Sequence, residues 1–427
     1  MIGSLHDCRF TETIIYDKRL RKIIFFKGEI IMCEPKKVYI VSAVRTPIGS
    51  FLGSLKNFTA PDLGGFVIKE AVKRAGIKGE DVDEVIMGNV VSAGIGQAPA
   101  KQAAVKGGIP YTVSCFLVNK VCGSALKAVA LAAQAIQVGD KNIVVAGGME
   151  SMSQAPYLLW GLREGLKFGD TKLVDSMIKD GLWCAFHDMH MGMTGEVIAE
   201  KFGATREEQD KYAYQSQMRA IEAIDKGYFK DEIVPIEIPQ KKGEPVIFSV
   251  DEQPRRDTSL EKLAKLRPVF KKDGTVTAGN ASTLNDGAAA VVVASEDAVK
   301  EKNLKPMAQI LGYATNGVEP SMVMYAPKGA IEKLLNNLGW KLEDVDLFEI
   351  NEAFSAQMVV LIKEMGLNPD KLNIHGGAVA LGHPIGATGA RILTTLLYAL
   401  KRKGGKRGIA ALCLGSGDAV AMAIEMV

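Results

Sequence analysis

Several features that would place a protein in a specialised class are absent from this sequence. Its six cysteines include no Cys-x-x-Cys pair and no even spacing, which excludes a disulfide framework and the usual zinc sites. No apolar run reaches the roughly 20 residues needed to cross a bilayer. The 52 basic and 49 acidic residues leave a net charge of only +3, which does not favour nucleic acid as the main partner. We therefore expect a protein of the reducing cytoplasm, without a membrane or nucleic-acid partner, in which any single cysteine is a candidate nucleophile.

Aromatic residues are also sparse. They make up 7% of the chain, so the core should consist mainly of Val, Ile, Leu, Ala and Met. Apolar residues at 47% and charged residues at 24% are typical of a globular protein and exclude disorder or fibrous repeats. The length of 427 residues exceeds the usual domain size of roughly 100 to 200 residues, so two or three domains are expected.

The first 36 residues differ from the rest. They mix charges with a short apolar run at 23–26 that lacks the length and cleavage site of a signal peptide. We expect residues 1–36 to be an unfolded leader or a non-native start. Met32 stands shortly before the first clear strand pattern, so our hypothesis is that Met32 is the natural start and that residues 1–31 are upstream read-through.

Beyond the leader, short β-branched runs alternate with helical patterns, which predicts an α/β fold. The segment 75–85 is identical to 338–348 at six of eleven positions, and the strand pattern at 143–146 is repeated at 409–412. Two similar α/β halves explain both repeats. The predicted division is an N-terminal half of residues 37–152 and 285–304, an inserted loop domain of residues 153–284, and a C-terminal half of residues 305–427.

One cysteine, Cys122, stands just before a helical pattern of small and apolar residues at 124–137. The free N–H groups and the dipole of a helix N-terminus favour a thiolate, so we expect the pKa of Cys122 to lie below the ordinary value of about 8.5. A thiolate there would be a nucleophile. A small buried cysteine that packs the helix against a strand explains the same segment, and both interpretations stay open from the residues alone.

The segment 373–391 combines five glycines with two of the five histidines in the chain. Glycines at this density let the backbone approach a ligand closely. His383 is therefore a candidate catalytic group, and a helix is expected from about 390 to 400. For His375, a purely structural role in the loop explains its presence equally well.

Two further candidates follow strand patterns of the second half. Cys413 directly follows the strand pattern at 409–412 and precedes a turn that contains Gly415. The ends of strands in α/β folds face ligand crevices, which makes Cys413 a candidate site residue. Asn351 directly follows a hydrophobic strand, where it could cap the next helix or orient a water molecule. The basic residues of the insert are either a solvated face or a phosphate contact: Arg255, Arg256, Lys262, Lys265 and Arg267.

Taken together, these segments resemble the thiolases, and within them the acetyl-CoA acetyltransferase branch. The resemblance covers residues 38–427 and implies two α/β halves stacked in a five-layer αβαβα arrangement, with an inserted loop domain and assembly as a dimer or a homotetramer. The motifs that carry it are Val41-Ser-Ala-Val-Arg-Thr-Pro47, Asn119-Lys-Val-Cys122-Gly-Ser, Gly147-Gly-Met-Glu-Ser-Met152, Thr277-Ala-Gly-Asn-Ala-Ser282, Asn351-Glu-Ala-Phe and Gly382-His-Pro-Ile-Gly386.

The resemblance implies an acyltransferase that condenses two acetyl-CoA to acetoacetyl-CoA and CoA, reversibly. Cys122 would carry the acyl group as a thioester, and His383 would take its proton. Cys413 would then remove a proton from the methyl group of a second acetyl-CoA. A water held by Asn351 would help to stabilise the enolate, and the backbone N–H groups of Cys122 and Gly415 would stabilise the tetrahedral intermediate.

CoA is then a substrate and product, and neither a cofactor nor a metal is expected. The resemblance places Ser282 near the pantetheine arm and Arg255 near the nucleotide, although a solvated charge explains Arg255 as well. His190 matches a loop histidine of short-chain biosynthetic thiolases, which favours an acetyl or acetoacetyl substrate.

Some positions depart from the family pattern. Ser416 replaces the second glycine of the family's usual Cys-x-Gly-Gly-Gly, and Asp418 adds a carboxylate directly after this motif. The segment 323–327 replaces a common Met-Gly-x-Gly-Pro, and Lys262 stands where a serine often contacts CoA. Two alternatives therefore stay open: a 3-ketoacyl-CoA thiolase of broader chain length, and a catalytically impaired scaffold. A ketoacyl-carrier-protein synthase fits less well, because it pairs its cysteine with histidine or asparagine instead of a second cysteine.

Overall fold

The computed structural model describes residues 35–427 and, as backbone alone, the antiparallel strand pair Ile23–Phe26 and Glu29–Met32. Residues 1–22, 27–28 and 33–34 of the leader lie outside the described part of the chain. The expectations about the order of the leader and about the natural start stay predictions.

The strands, in chain order, are β1 Ile23–Phe26, β2 Glu29–Met32, β3 Val38–Arg45, β4 Gly49–Ser50, β5 Glu84–Gly88, β6 Ser114–Val118, β7 Ile143–Ser151, β8 Tyr157–Leu158, β9 Val174–Asp175, β10 Trp183–Cys184, β11 Met189–His190, β12 Ile236–Ile238, β13 Val246–Phe248, β14 Asn285–Ser295, β15 Ala308–Gly317, β16 Leu347–Ile350, β17 Arg407–Leu414 and β18 Asp418–Met426. The α-helices are α1 Ala60–Ala75, α2 Pro99–Lys106, α3 Ser124–Gln137, α4 Met191–Phe202, α5 Arg206–Asp225, α6 Leu260–Ala264, α7 Glu296–Glu301, α8 Ala326–Leu338, α9 Ser355–Met365, α10 Ala378–Leu381 and α11 Thr388–Lys403.

The strands of both halves join in one sheet of ten strands. Its order is β16-β17-β18-β15-β3-β14-β7-β5-β6, and β4 pairs with β14 beside this path. The only pairing between β15 of the second half and β3 of the first, within the described residues, is Ala308 with Ile40 and Gln309 with Tyr39. This short contact divides the sheet into an N-terminal group (β3 to β7 and β14) and a C-terminal group (β15 to β18).

Helices lie on both faces of each group. The outer face of the N-terminal group is covered by α1 and α2, and that of the C-terminal group by α8. Between the groups, α3 and α11 pack against each other and against strands of both. The three largest buried clusters fill the spaces between these layers. The layer order is αβαβα, which confirms the fold class expected from the sequence.

The internal sequence repeat corresponds to the same structure in both halves. Helices α1 and α8 each end at a left-handed glycine, Gly76 with φ 72° and Gly339 with φ 67°, a conformation that glycine adopts without steric cost. A short 3₁₀ turn follows each glycine, and an aspartate caps it: Asp81 accepts from the backbone of Lys78 at 2.8 Å, and Asp344 repeats this contact in the second half. Each turn leads into a buried strand, β5 or β16.

The segment between β7 and β14 contributes helices and short strand pairs around the central layers. Helix α5 spans Arg206–Asp225, and Thr205 caps it in a capping box with Glu208. Helices α4 and α5 pack on α9, and α5 also packs on α10. The insert therefore lies against helices of the C-terminal half. Among the residues described, no helix has the length and apolar character to span a membrane.

Candidate active site

The predicted catalytic residues meet at one small pocket. Cys122, His383, Cys413 and Gly415 all line a cavity of about 60 Å³. This pocket shares lining residues, including Ser282 and His383, with a larger cavity of about 640 Å³ that opens toward the surface. Segments far apart in the sequence thus form a small pocket that adjoins a wider, mostly apolar cavity.

Cys122 lies in the tight connection between β6 and α3. Ser124 holds this connection, because its hydroxyl donates to the carbonyl of Val121 at 2.6 Å and accepts from the N–H of Lys120 at 2.9 Å. Val121 has a φ of 45°, which is sterically unfavourable for a β-branched residue. A strained backbone therefore presents Cys122 to the pocket.

The expectation of a low pKa for Cys122 is wrong in direction. Burial raises the pKa of its thiol to about 12, and the hydrogen bond from the backbone N–H of Gly415 offsets only part of this effect. A position just before α3 favours the thiolate, but removal from water disfavours it more strongly. At neutral pH, Cys122 is a thiol and needs a base before it can attack.

His383 can act as that base. Its Nδ1 lies 2.7 Å from Thr388 Oγ1, and the Thr388 hydroxyl donates to the carbonyl of Pro384 at 2.9 Å. Since the hydroxyl proton is used there, Nδ1 carries the ring proton and Nε2 keeps a free lone pair. Burial, followed by the charge of Arg391, lowers the pKa of His383 to about 3. The imidazole is therefore neutral and able to accept a proton.

Cys413 occupies the end of β17 and is 2% exposed. Its sulfur lies 3.4 Å from Gln357 Oε1 and 3.7 Å from Met324 Sδ. Burial, together with the nearby Cys122, raises the pKa of the Cys413 thiol far above its ordinary value. The two cysteines are close enough to influence each other, and both are neutral at rest.

Asn351 supplies a polar group beside His383, and Gly415 supplies one beside the Cys122 sulfur. Asn351 is fully buried after β16, and its Nδ2 lies 3.5 Å from His383 Nε2. Its side-chain oxygen has no hydrogen-bond partner among the described residues, so it is open to a ligand or a water. The Gly415 N–H points at the Cys122 sulfur. A methyl group on Gly415 would lie 3.2 Å from a Val121 methyl, so the turn and the Cys122 loop are in close contact.

The three residues expected to contact CoA line the larger cavity, and Ser282 also borders the small pocket. His190 caps helix α4, where its Nδ1 accepts from the N–H of Gly192 at 3.0 Å, and its ring stacks on Phe270 at 4.7 Å. Burial lowers the pKa of His190. Arg255 is exposed at the rim.

Other candidates lie elsewhere. His375 contacts Arg402 at 2.7 Å and packs against Tyr228, so it has the structural role that was left open for it. In the basic stretch of the insert, Arg256 pairs with Asp225 and Lys262 pairs with Asp257 at the surface.

The two departures beside Cys413 have definite places. Ser416 adopts φ 74° in the turn after β17, a left-handed conformation in which glycine is usual. The Asp418 carboxylate pairs with the ammonium of Lys120, two residues before Cys122.

Sequence reasoning missed several residues of the site. Thr388, which fixes the tautomer of His383, stands five residues after it at the start of α11, and this spacing could have identified it. Gln357 and Met324 come from other elements, and no local signal points to them. Glu150 belongs to the motif Gly147–Met152. Its buried carboxylate accepts from the N–H group of Gly386 at 2.9 Å and from those of Val90 and Val91, which follow β5. Glu150 therefore links the His383 loop to the N-terminal half.

Two cysteines and a neutral histidine at the end of a deep channel define an enzyme class that carries acyl groups on sulfur. Comparison with known proteins agrees. Residues 38–297 match the thiolase N-terminal domain, and residues 304–426 match the thiolase C-terminal domain. The chain belongs to the thiolase family and is an acyltransferase.

Individual relatives are similar over nearly their whole length. An acetyl-CoA acetyltransferase of Pseudomonas aeruginosa is 54% identical over 387 residues, which cover 91% of this chain and 98% of that protein. A probable acetyl-CoA acyltransferase of Staphylococcus aureus is 51% identical over 389 residues, 91% of this chain and 99% of the relative. The crystal structure of the Bacillus anthracis acetyl-CoA acetyltransferase superposes with a TM-score of 0.91 at 46% identity, and covers 92% of this chain and 100% of that one.

Proposed function

We propose that this protein is an acetyl-CoA C-acetyltransferase that condenses two acetyl-CoA to acetoacetyl-CoA and CoA through an acyl group on Cys122. The observation that carries the proposal is that the thiols of Cys122 and Cys413 and the imidazole of His383 line one small pocket. The relatives named as acetyl-CoA acetyltransferases support the choice of acyl group.

In the first half-reaction, His383 Nε2 takes the thiol proton of Cys122 while the sulfur attacks the thioester carbonyl of acetyl-CoA. The carbonyl oxygen becomes an oxyanion, which the N–H groups of Cys122 and Gly415 stabilise. The C–S bond to CoA then breaks. Because Cys413 is a neutral thiol, it donates its proton to the departing CoA sulfur, and CoA leaves as a thiol.

In the second half-reaction, the Cys413 thiolate removes a proton from the methyl group of a second acetyl-CoA. The protonated His383 and a water held by Asn351 stabilise the enolate oxygen. The carbanion attacks the acetyl carbon on Cys122, and the Cys122–acyl bond breaks to release acetoacetyl-CoA. The Cys122 sulfur recovers its proton from His383, which restores the starting state. The reverse sequence is thiolysis.

The pocket favours a short acyl group. Its volume of about 60 Å³ suits a two-carbon unit, and Met324 and Phe354 form part of its wall. The second candidate is a 3-ketoacyl-CoA thiolase that accepts a broader range of chain lengths. The S. aureus relative, which is named a probable acetyl-CoA acyltransferase, favours it. Thiolysis rates with four- and eight-carbon 3-ketoacyl-CoA separate the two. We expect a strong preference for the four-carbon substrate. Equal efficiency with the eight-carbon substrate would reject the assignment to short acyl groups.

For CoA, we propose that Ser282 contacts the pantetheine arm, that Arg255 contacts the nucleotide and that His190 borders the acyl end. Their shared position on the larger cavity supports this. No metal or cofactor enters the proposed chemistry. Substituting Arg255 with Ala should raise the KM for CoA while kcat changes little, because a rim contact acts equally on bound substrate and transition state.

We also propose a cytoplasmic homo-oligomer, a dimer or a tetramer. Strand β6 lies at an edge of the sheet, and Phe116 on it is 40% exposed. Trp160, Leu162 and Phe168 in the insert are exposed apolar residues. Such surfaces are typical of subunit contacts. Light scattering of the purified protein tests the proposal, and a monomer at micromolar concentration would reject it.

A further inference from the structure

An ion pair joins the two backbone segments that form the catalytic pocket. The Lys120 ammonium contacts the Asp418 carboxylate, and both side chains are 26% exposed. Lys120 lies two residues before Cys122, and Asp418 lies three residues after Gly415. Neither side chain lines the pocket. The pair therefore connects the nucleophile loop to the turn that carries the proposed oxyanion donor, without contact to substrate.

Both segments are strained next to this pair. Val121 and Ser416 have positive φ angles of 45° and 74°, which non-glycine residues adopt at a cost and keep only when the surroundings hold them. The segments also pack tightly, because a methyl group on Gly123 would lie 2.4 Å from Leu414 Cδ2. Two strained loops in such contact need an attachment that keeps them in register.

A second lysine lies near the pair. Lys127, in the first turns of α3, has its ammonium 6.0 Å from the centre of the Tyr313 ring. Burial and the charge of Lys120 lower the pKa of Lys127, while Asp418 opposes this shift. Asp418 therefore balances two cations at the start of α3, and loss of its charge would leave them repelling each other.

We propose that Lys120 and Asp418 are positioning residues that hold the Gly415 N–H at the oxyanion of the Cys122 acyl intermediate. This inference rests on the proposed function, and it assigns a role to one of the residues by which this chain departs from its family. The effect should be confined to steps that use the oxyanion donor. The charges of the pair are not among the causes that shift the pKa of Cys122, but the Gly415 N–H is, so the reactivity of the thiol should fall only as far as that hydrogen bond is lost.

The test compares two reactions of Cys122 in Asp418→Asn, Lys120→Gln and the double variant. Acylation by radiolabelled acetyl-CoA needs the oxyanion donor, whereas alkylation by iodoacetamide, followed at Cys122 by peptide mass spectrometry, does not. We expect acylation to slow by about 10-fold or more, since small misplacements of catalytic groups have large effects on rate. Alkylation should slow far less, because it loses only the Gly415 hydrogen bond that partly lowers the pKa of Cys122. The double variant should be no slower than either single variant, because the residues act as a pair.

Glu425→Gln is the matched control, since it breaks the Arg407–Glu425 pair, 3.0 Å long, at the other end of β18. It should leave both reactions unchanged. Asp418→Glu, which restores the charge, should recover much of the acylation rate. Acylation of Asp418→Asn at the wild-type rate would overturn the proposal. An equal loss of acylation and alkylation would also overturn the proposal, because it would show that the substitution disturbs the whole Cys122 loop. A wild-type protein that acetyl-CoA does not acylate would instead overturn the proposed function.

Discussion

The ring of His383 is fixed by Thr388, whose hydroxyl lies 2.7 Å from Nδ1. The same hydroxyl donates a hydrogen bond to the carbonyl of Pro384, which precedes α11. This arrangement decides which ring nitrogen can act as a base. Because burial lowers the pKa of His383 to about 3, the ring is neutral in the resting enzyme and keeps Nε2 unprotonated.

Thr388→Val should therefore impair catalysis more than folding. The change removes the acceptor for the Nδ1 proton, so the tautomer with a free Nε2 loses its advantage. We predict that kcat for acetoacetyl-CoA thiolysis falls on the order of 100-fold, the usual contribution of a positioned base. The unfolding free energy should fall by about 1 to 3 kcal/mol, because a buried donor loses its partner.

Thr394→Val is the control for this prediction. Thr394 lies on the same helix, is fully buried, and its hydroxyl has no partner among the described residues. Its replacement should leave kcat unchanged and should not reduce stability. Equal kinetic effects of the two substitutions would show that the Thr388 hydroxyl does not act through His383.

The two cysteines should separate the half-reactions. Cys122→Ser should take up no acetyl group. Cys413→Ser should still be acylated, although more slowly because serine is a weaker proton donor to the departing CoA, and it should fail to condense because a serine hydroxyl is too weakly acidic to form the required base. Rapid mixing with labelled acetyl-CoA measures the first step, and formation of acetoacetyl-CoA measures the whole reaction. Loss of acylation in Cys413→Ser to the same extent as in Cys122→Ser would contradict the division of labour.

The raised pKa of Cys122 predicts an unusual pH profile. With a pKa of about 12, the thiolate fraction keeps growing throughout the neutral and mildly alkaline range. The rate of Cys122 alkylation by iodoacetamide should thus still be rising at about pH 10, well above the ordinary cysteine pKa of about 8.5. A rate that stops rising near pH 8 or below would contradict the raised pKa. It would support the low pKa that the position of Cys122 before α3 suggests.

Glu150 should couple stability to pH. Burial raises its pKa to about 7, despite hydrogen bonds from three backbone N–H groups. A raised pKa means that the folded state keeps a proton that the unfolded chain loses above its ordinary pKa of about 4.5. The stabilisation from this proton is complete below that value and is lost as the pH rises through about 7.

Glu150→Gln removes this dependence. The gap in unfolding free energy between the wild type and the variant, measured by denaturant titration, should therefore shrink as the pH rises from about 4.5 to about 7. Both carboxylate oxygens of Glu150 accept N–H groups, so the amide nitrogen of the variant faces donors at either position. The variant should therefore also be less stable by about 1 to 3 kcal/mol at acidic pH. A gap that does not change with pH would show that Glu150 is ionised in the folded protein.

Much of this molecule follows from local patterns. The glycine that ends α1 and the glycine that ends α8 stand at matching places of a repeated segment, so the duplicated α/β halves can be inferred from the sequence. The positions of Cys122, His383 and Cys413 follow from the motifs around them. The pKa of Cys122 does not, because helix position is a local property whereas burial depends on distant residues such as Met324 and Leu182. Tertiary contacts likewise decide that Asp418 pairs with Lys120.

The account depends most on Cys122 as the carrier of the acyl group. Peptide mass spectrometry of the protein, quenched in acid shortly after mixing with acetyl-CoA, tests this directly. We predict one acetyl group per chain, on the peptide that contains Cys122. An acetyl group on Cys413, or on no cysteine at all, would contradict it.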